Sequence, residues 1–137
     1  MSKFLKRSGT GTTLFVCITA GLCPGAGHLM VGRFSKGVIF FVALTRMFLC
    51  GLLLDGELFG FDSADPLVAM AAIADLGIGA PYFVARVFGA GNGNVVATTY
   101  EYGNSFLIVS GLLNMLVVID VFDIKMICFK YHIKAIY

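Results

Sequence analysis

The chain alternates long apolar runs with short polar connections, and four of the runs approach the length of a bilayer crossing. The first extends from Thr12 to about Val31 and is interrupted at Pro24-Gly25; the second, Val38 to Leu54, is apolar apart from Thr45 and Arg46. The third, Pro66 to Phe88, carries only Asp75 and Arg86 as charges. The fourth, Ser105 to Ile124, has Asn114 at its middle and Asp120 and Asp123 near its end. A helix needs about 20 residues, within a range of roughly 17–25, to cross the hydrocarbon. Each run fits, the second at the short limit. The pattern predicts an all-α integral membrane bundle of about four transmembrane segments, two helical hairpins over 12–54 and 66–124, with the first helix kinked at Pro24.

The connections are polar and glycine-rich. Residues 1–11 form a basic arm with Lys3, Lys6 and Arg7. Pro24 to Gly37 makes a glycine-punctuated turn holding His28, Arg33 and Lys36. Residues 55–65 carry Asp55, Glu57, Asp62 and Asp65, and Asp65 before Pro66 predicts an N-cap with proline at the first helical position. Residues 89–104 open on alternating glycines and contain a β-prone stretch, Val95 to Tyr100. The tail, 125–137, spaces Lys125, Lys130 and Lys134 among Ile, Phe and Tyr as an interfacial segment would. We find no internal repeat and no domain boundary, so 1–137 reads as one domain.

Composition supports the same solvent. The chain is 58% hydrophobic and 13% charged, whereas globular domains have about 45–50% apolar and 25% charged residues. A soluble chain this short has too little interior to hide that surface. The 13 Phe and 5 Tyr supply packing and interfacial aromatics. A net charge of +2 argues against nucleic acid as a partner. Membrane lipids and other membrane-protein subunits, or further copies of the chain, are the expected partners. The first run has the basic start and apolar length of a signal peptide, but no small-x-small site follows and neither Cys17 nor Cys23 has a lipoprotein context. It is expected to be retained.

Two topologies fit. Four crossings put both termini on one side; a first segment that folds back at Pro24 separates them. Lys and Arg divide six against three either way, so the positive-inside rule leaves the choice open. Four crossings with both termini cytoplasmic is preferred, because a broken helix exposed to lipid leaves backbone groups unsatisfied.

Arg46 and Asp75 are the most informative charges. In antiparallel crossings they lie about 12 and 13.5 Å below the same surface, so the expectation is a facing ion pair that fixes helix register. Arg46 replaced alone is then more destabilising than both replaced together. The other reading is an ion or proton path. His28 has no second ligand at metal spacing, and its expected role is a hydrogen bond to a carbonyl freed by Pro24 or to a group in 89–104 such as Glu101. Cys17, Cys23, Cys50 and Cys128 form no CxxC or CxxCH pattern. Neither a metal nor any cofactor is expected, and no catalytic residues are assigned. Asp120 and Asp123, three apart on one helical face, are expected to cap, to pair with a nearby Lys or to end a span. Gly21 and Gly25 form a GxxxG pair, and Gly27, Gly77, Gly79 and Gly111 also suit close helix approach. GAGNGN lies outside any βαβ unit and is not a nucleotide loop.

With these residues in view, GAGHLMVGRFSKGVIFF resembles the core of the TM-two domain family, a Gly-x-Gly-x-His hairpin between two membrane helices. Gly25, Gly27, His28, Gly32, Arg33 and Gly37 carry the match. Leu29-Met30 replaces the family's usual aromatic pair, and the chain adds a second hairpin. The stretch YEYGNSFLIVSGLLNMLVVIDVFDI, with PGAGH upstream, is similar to uncharacterised small bacterial membrane proteins related to that domain; Gly111, Leu112, Leu113, Asn114, Asp120 and Asp123 carry that likeness. The resemblance implies a bacterial inner-membrane protein and no established activity. The expectation is a non-catalytic structural or accessory subunit, or scaffold, of a membrane complex. The alternative is a small transporter or channel component with a polar path around Arg46, Asp75 and Asn114.

Overall fold

The computed structural model describes residues 10–61 and 65–134. These residues are all-helical, without a strand: α1 (Thr10–Leu22), α2 (Ala26–Met30), α3 (Phe34–Leu53), α4 (Pro66–Leu76), α5 (Ala80–Val87) and α6 (Tyr100–Lys134). Two are each long and apolar enough to cross a membrane, α3 and the Tyr100–Cys128 part of α6. The 20 residues of α3 rise about 30 Å, the thickness of the hydrocarbon. α3 and α6 run antiparallel, since Gly51 near the end of α3 abuts Gly103 and Leu107 near the start of α6.

The other two apolar runs enter the bundle and turn back. Asn114, in the middle of α6, bonds the Gly21 carbonyl at the end of α1. On the way out, Gly27 of α2 faces Val121, and Val31 packs with Val16 and Val121. The α1–α2 pair therefore runs in beside the C-terminal half of α6 to the level of Asn114 and returns. α4 and α5 are bent by 106° at their break. The segments flanking them are tied together: the Leu58 N–H donates to the Gly91 carbonyl at 2.9 Å, the Asn94 N–H to Asp55 at 3.1 Å, and the Tyr100 hydroxyl to Glu57 Oε2 at 2.6 Å. Both ends of α4–α5 thus leave at the same end of the bundle, making a second re-entrant hairpin. The expected four crossings are not confirmed: two helices are long and apolar enough to cross, or three if the bent α4–α5 pair is one span, and the bonds that join the two ends of α4–α5 favour a re-entrant hairpin. The rule against broken helices in lipid is still obeyed, because Pro24, Gly25, Ile78 and Gly79 at the breaks are buried in protein.

The two hairpins share a sequence. Residues 20–26 read Ala-Gly-Leu-Cys-Pro-Gly-Ala and residues 74–80 read Ala-Asp-Leu-Gly-Ile-Gly-Ala. Leu22 and Leu76 each end the first half-helix, and Ala26 and Ala80 each start the second. Between them Gly25 and Gly79 hold φ of 77° and 82°, a region open to glycine and costly for other residues. Each hairpin is followed by a crossing helix, and α3 and α6 are antiparallel. The two tips, matched at four of these seven positions, thus lie in half-chains of opposite direction, a local likeness with the form of an inverted repeat. Two core clusters form, each shared between the halves: Leu44 and Phe48 of α3 pack with Leu58, Ile78, Tyr82 and Leu107, and Val16, Ala20 and Val31 pack with Val121 of α6.

Smaller expectations also change. Val95 to Tyr100 is turn leading into α6, and the only bridge among the described residues is the isolated Glu57–Asn92 pair. The tail continues α6 without interruption through Lys134, with Lys125 buried. α4 does begin at Asp65-Pro66, but the Asp65 side chain makes no capping bond; its carbonyl accepts from the Ala69 N–H. Residues 1–9 of the basic arm, and Asp62, lie outside the described residues.

Candidate functional site

The polar centre of the molecule lies where the two hairpin tips meet. The C-terminal turn of a helix leaves carbonyls without intrahelical donors, and here two helices, α1 and α4, end against one another. The fully buried Asn114 supplies the donor. Its Nδ2 donates to Gly77 O at 2.8 Å and Gly21 O at 3.3 Å, with Ile78 O at 3.5 Å. The tips touch backbone to backbone: a Cβ on Gly79 would overlap the carbonyl oxygens of Gly21 and Leu22. Gly111 likewise lets α6 approach the Ala74 carbonyl. The small residues expected for close approach are thus used inside the bundle.

Asp75 is fully buried, but Arg46 is not its partner. The Phe59 N–H donates to Asp75 Oδ2 at 3.0 Å, and the Tyr82 hydroxyl donates to the Phe59 carbonyl at 3.2 Å. Arg86 Nε donates to that hydroxyl at 3.3 Å, and its guanidinium lies 5.6 Å from the Tyr82 ring centroid. The cation whose field reaches Asp75 is Arg86. The expected Arg46–Asp75 ion pair is therefore corrected. Matching depth requires the third run to cross unbroken, whereas Asp75 sits at the end of a half-helix and bonds the loop that precedes it. The network ties the loop at 55–61 to the α4–α5 hairpin.

His28 is also fully buried, and its Nε2 lies 2.8 Å from Asp120 Oδ2, so the imidazole donates to the carboxylate. Its ring stands 5.2 Å from that of Phe40. This corrects both expected partners, a freed carbonyl and the 89–104 loop. With the first hairpin re-entrant, His28 faces the C-terminal half of α6, and the 89–104 loop is at the opposite end. Of the roles expected for Asp120, capping, pairing with a Lys or ending a span, none named its histidine partner; Asp123 is exposed. No group of three His, Cys, Asp or Glu among the described residues is arranged to hold a metal.

Arg46 points away from the bundle. α3 buries Gly37, Leu44, Phe48 and Gly51, and Arg46 lies on the opposite face with exposed Ile39, Val42, Leu49 and Leu53. It makes no ion pair among the described residues. It lies seven residues from the end of α3 at Leu53, about 10 Å along the axis and within about 5 Å of the middle of the span. An unpaired charge at such depth costs at least about 2.5–3.5 kcal/mol.

Phe59, Tyr82 and Arg86 did not stand out in the sequence. Tyr82 had a signal: it occupies the same place in α5 that His28 occupies in α2, the third residue of the returning half-helix. Both are buried polar side chains that tie their hairpin to the rest of the chain. A groove of about 440 Å³ between α4 and α6, lined by Leu67, Met70, Ala71, Ile108 and Leu112, includes none of Arg46, Asp75 or Asn114.

No curated protein and no solved structure matches the chain. One family model spans residues 14–130, both hairpins and both crossing helices, and the chain thus belongs to DUF6677, a family of unknown function.

Proposed function

We propose that the chain is a non-catalytic, multi-pass protein of the bacterial cytoplasmic membrane that serves as a structural or accessory subunit of a membrane complex. The observation that carries this reading is the disposition of its polar groups. Asn114, Asp75 and His28 are fully buried and each is engaged in joining one element to another. Arg46, near the middle of its span, faces outward. Such a division suits a rigid body that presents a surface. The Gly-x-Gly-x-His sequence at Gly25, Gly27 and His28 supports a relationship to TM-two hairpins, with the first arm shortened to a half-helix.

Charge distribution supports both termini cytoplasmic. Arg33, Lys36, Lys125 and Lys130 cluster at one end, with Lys3, Lys6 and Arg7 preceding α1 in sequence. Arg86 is at the other end, beside Asp55, Glu57, Asp65 and Glu101. Four crossings and a re-entrant first segment alone each divide Lys and Arg six against three; with both hairpins re-entrant the division is more uneven, which supports a cytoplasmic basic end.

Isolation from native membranes in mild detergent tests the subunit reading. We expect a stable complex with other membrane proteins; a chain that purifies alone overturns it. The transporter alternative draws support from the convergence of two re-entrant tips on Asn114, an arrangement suited to gating. Solute flux in vesicles containing the chain alone, lost on Asn114→Leu, favours that alternative.

A further inference from the structure

We infer that the outward face of α3 docks a transmembrane helix of another protein, and that this helix carries an Asp or Glu at the depth of Arg46. The inference rests on the subunit reading above and names its partner chemistry.

Among the exposed residues of α3, Ile39, Val42, Arg46, Leu49 and Leu53 are spaced three and four apart. This is the alternation by which one helix packs along another with a left-handed crossing. Exposed Ala43 and Cys50 flank the seam and leave room for a close approach of backbones. In a coiled-coil seam, a single polar residue among apolar ones sets register and partner choice. Arg46 occupies that central position.

Charge selects the occupant. The Cα–Cβ bond of a helical residue leans toward the N-terminus of its helix, so Arg46 leans away from its nearer membrane surface, which is about 10 Å off. That geometry disfavours a lipid phosphate at the surface and favours a carboxylate at the same depth. A second copy is also a poor fit. Two α3 faces related by an axis along the membrane normal bring Arg46 against Arg46. The acids of a neighbouring α6, Asp120 and Asp123, lie beside the start of α3, as the Asp120–His28 contact shows. Phe40, against which His28 packs, is about 9 Å along the axis from Arg46, and Asp120 is already engaged by His28.

The test places the full chain, carrying a donor dye, in phosphatidylcholine vesicles with acceptor-labelled Leu/Ala transmembrane peptides. The peptides carry a single central Asp, the same Asp near one end, or a central Leu. We expect energy transfer to the central-Asp peptide only, with binding about tenfold weaker for Arg46→Gln. Arg46→Lys should keep most of the binding, and Arg46→Glu should switch preference to a central-Lys peptide. The charge-preserving and charge-swapped variants separate a lost contact from a lost fold. Equal binding of the Asp peptide by wild type and Arg46→Gln overturns the inference. So does energy transfer between copies of the chain through this face, or competition that appears only when anionic lipid is added. Native complexes that survive Arg46→Gln intact also overturn it while leaving the subunit reading in place. A chain that purifies without partners removes the subunit reading, and the vesicle measurement then reports on the face alone.

Discussion

The buried polar residues act in pairs that join distant parts of the chain, and each pair makes a different demand. His28 and Asp120 are 92 residues apart and bonded at 2.8 Å. A double-mutant cycle of His28→Ala and Asp120→Ala should give a coupling energy of about 0.5–3 kcal/mol, at the lower end because the carboxylate side chain is 48% exposed. Arg46 and Asp75 should add independently in the same unfolding assay, and coupling there would refute the placement of Arg46 on the outer face. Asn114→Leu strips the donor from the Gly21 and Gly77 carbonyls and should cost about 1–3 kcal/mol in detergent unfolding. The sequence flagged all five residues by one physical rule: a polar side chain within an apolar run is expensive, so it has a partner or a task. Which partner was not legible. Depth along a run can be counted from the sequence only when the run is known to cross, and Asp75 lies in one that does not.

At the scale of elements, the sequence locates the apolar runs, but it leaves open whether the first run kinks or folds back at Pro24-Gly25 and gives no sign of the break in the third. A helix that bends and a helix that ends look alike in composition. The difference is made by glycines at positive φ, Gly25 and Gly79, and by a donor from elsewhere, Asn114 Nδ2, from which the loose carbonyls accept. Gly79→Ala should therefore be severe, since it combines a disfavoured backbone region with overlap of the Gly21 and Leu22 carbonyls. A loss of about 1–3 kcal/mol is expected from the backbone alone. Gly89→Ala, also at positive φ (68°) but with open space around it, supplies the comparison; an equal effect would show that contact between the tips adds nothing.

At the scale of the whole molecule, the proposed topology of two re-entrant hairpins and two crossing helices puts the start of α1 and the end of α6 at one end of the bundle. Thiol labelling in intact cells tests this. Asn92→Cys should react from outside, and Ser35→Cys only after permeabilisation; under four crossings both positions would share a side. A reporter fused after Tyr137 should be active in the cytoplasm. The membrane as solvent, the helical class, the approximate bounds of the apolar runs and the identity of the costly polar residues all follow from composition and periodicity, because lipid imposes those demands on any chain. The number of crossings, the partners of His28, Asp75 and Asn114, and the outward direction of Arg46 do not. They depend on which backbone ends meet inside the bundle, and the runs before and after a break carry no local mark of whether the chain goes on or turns back.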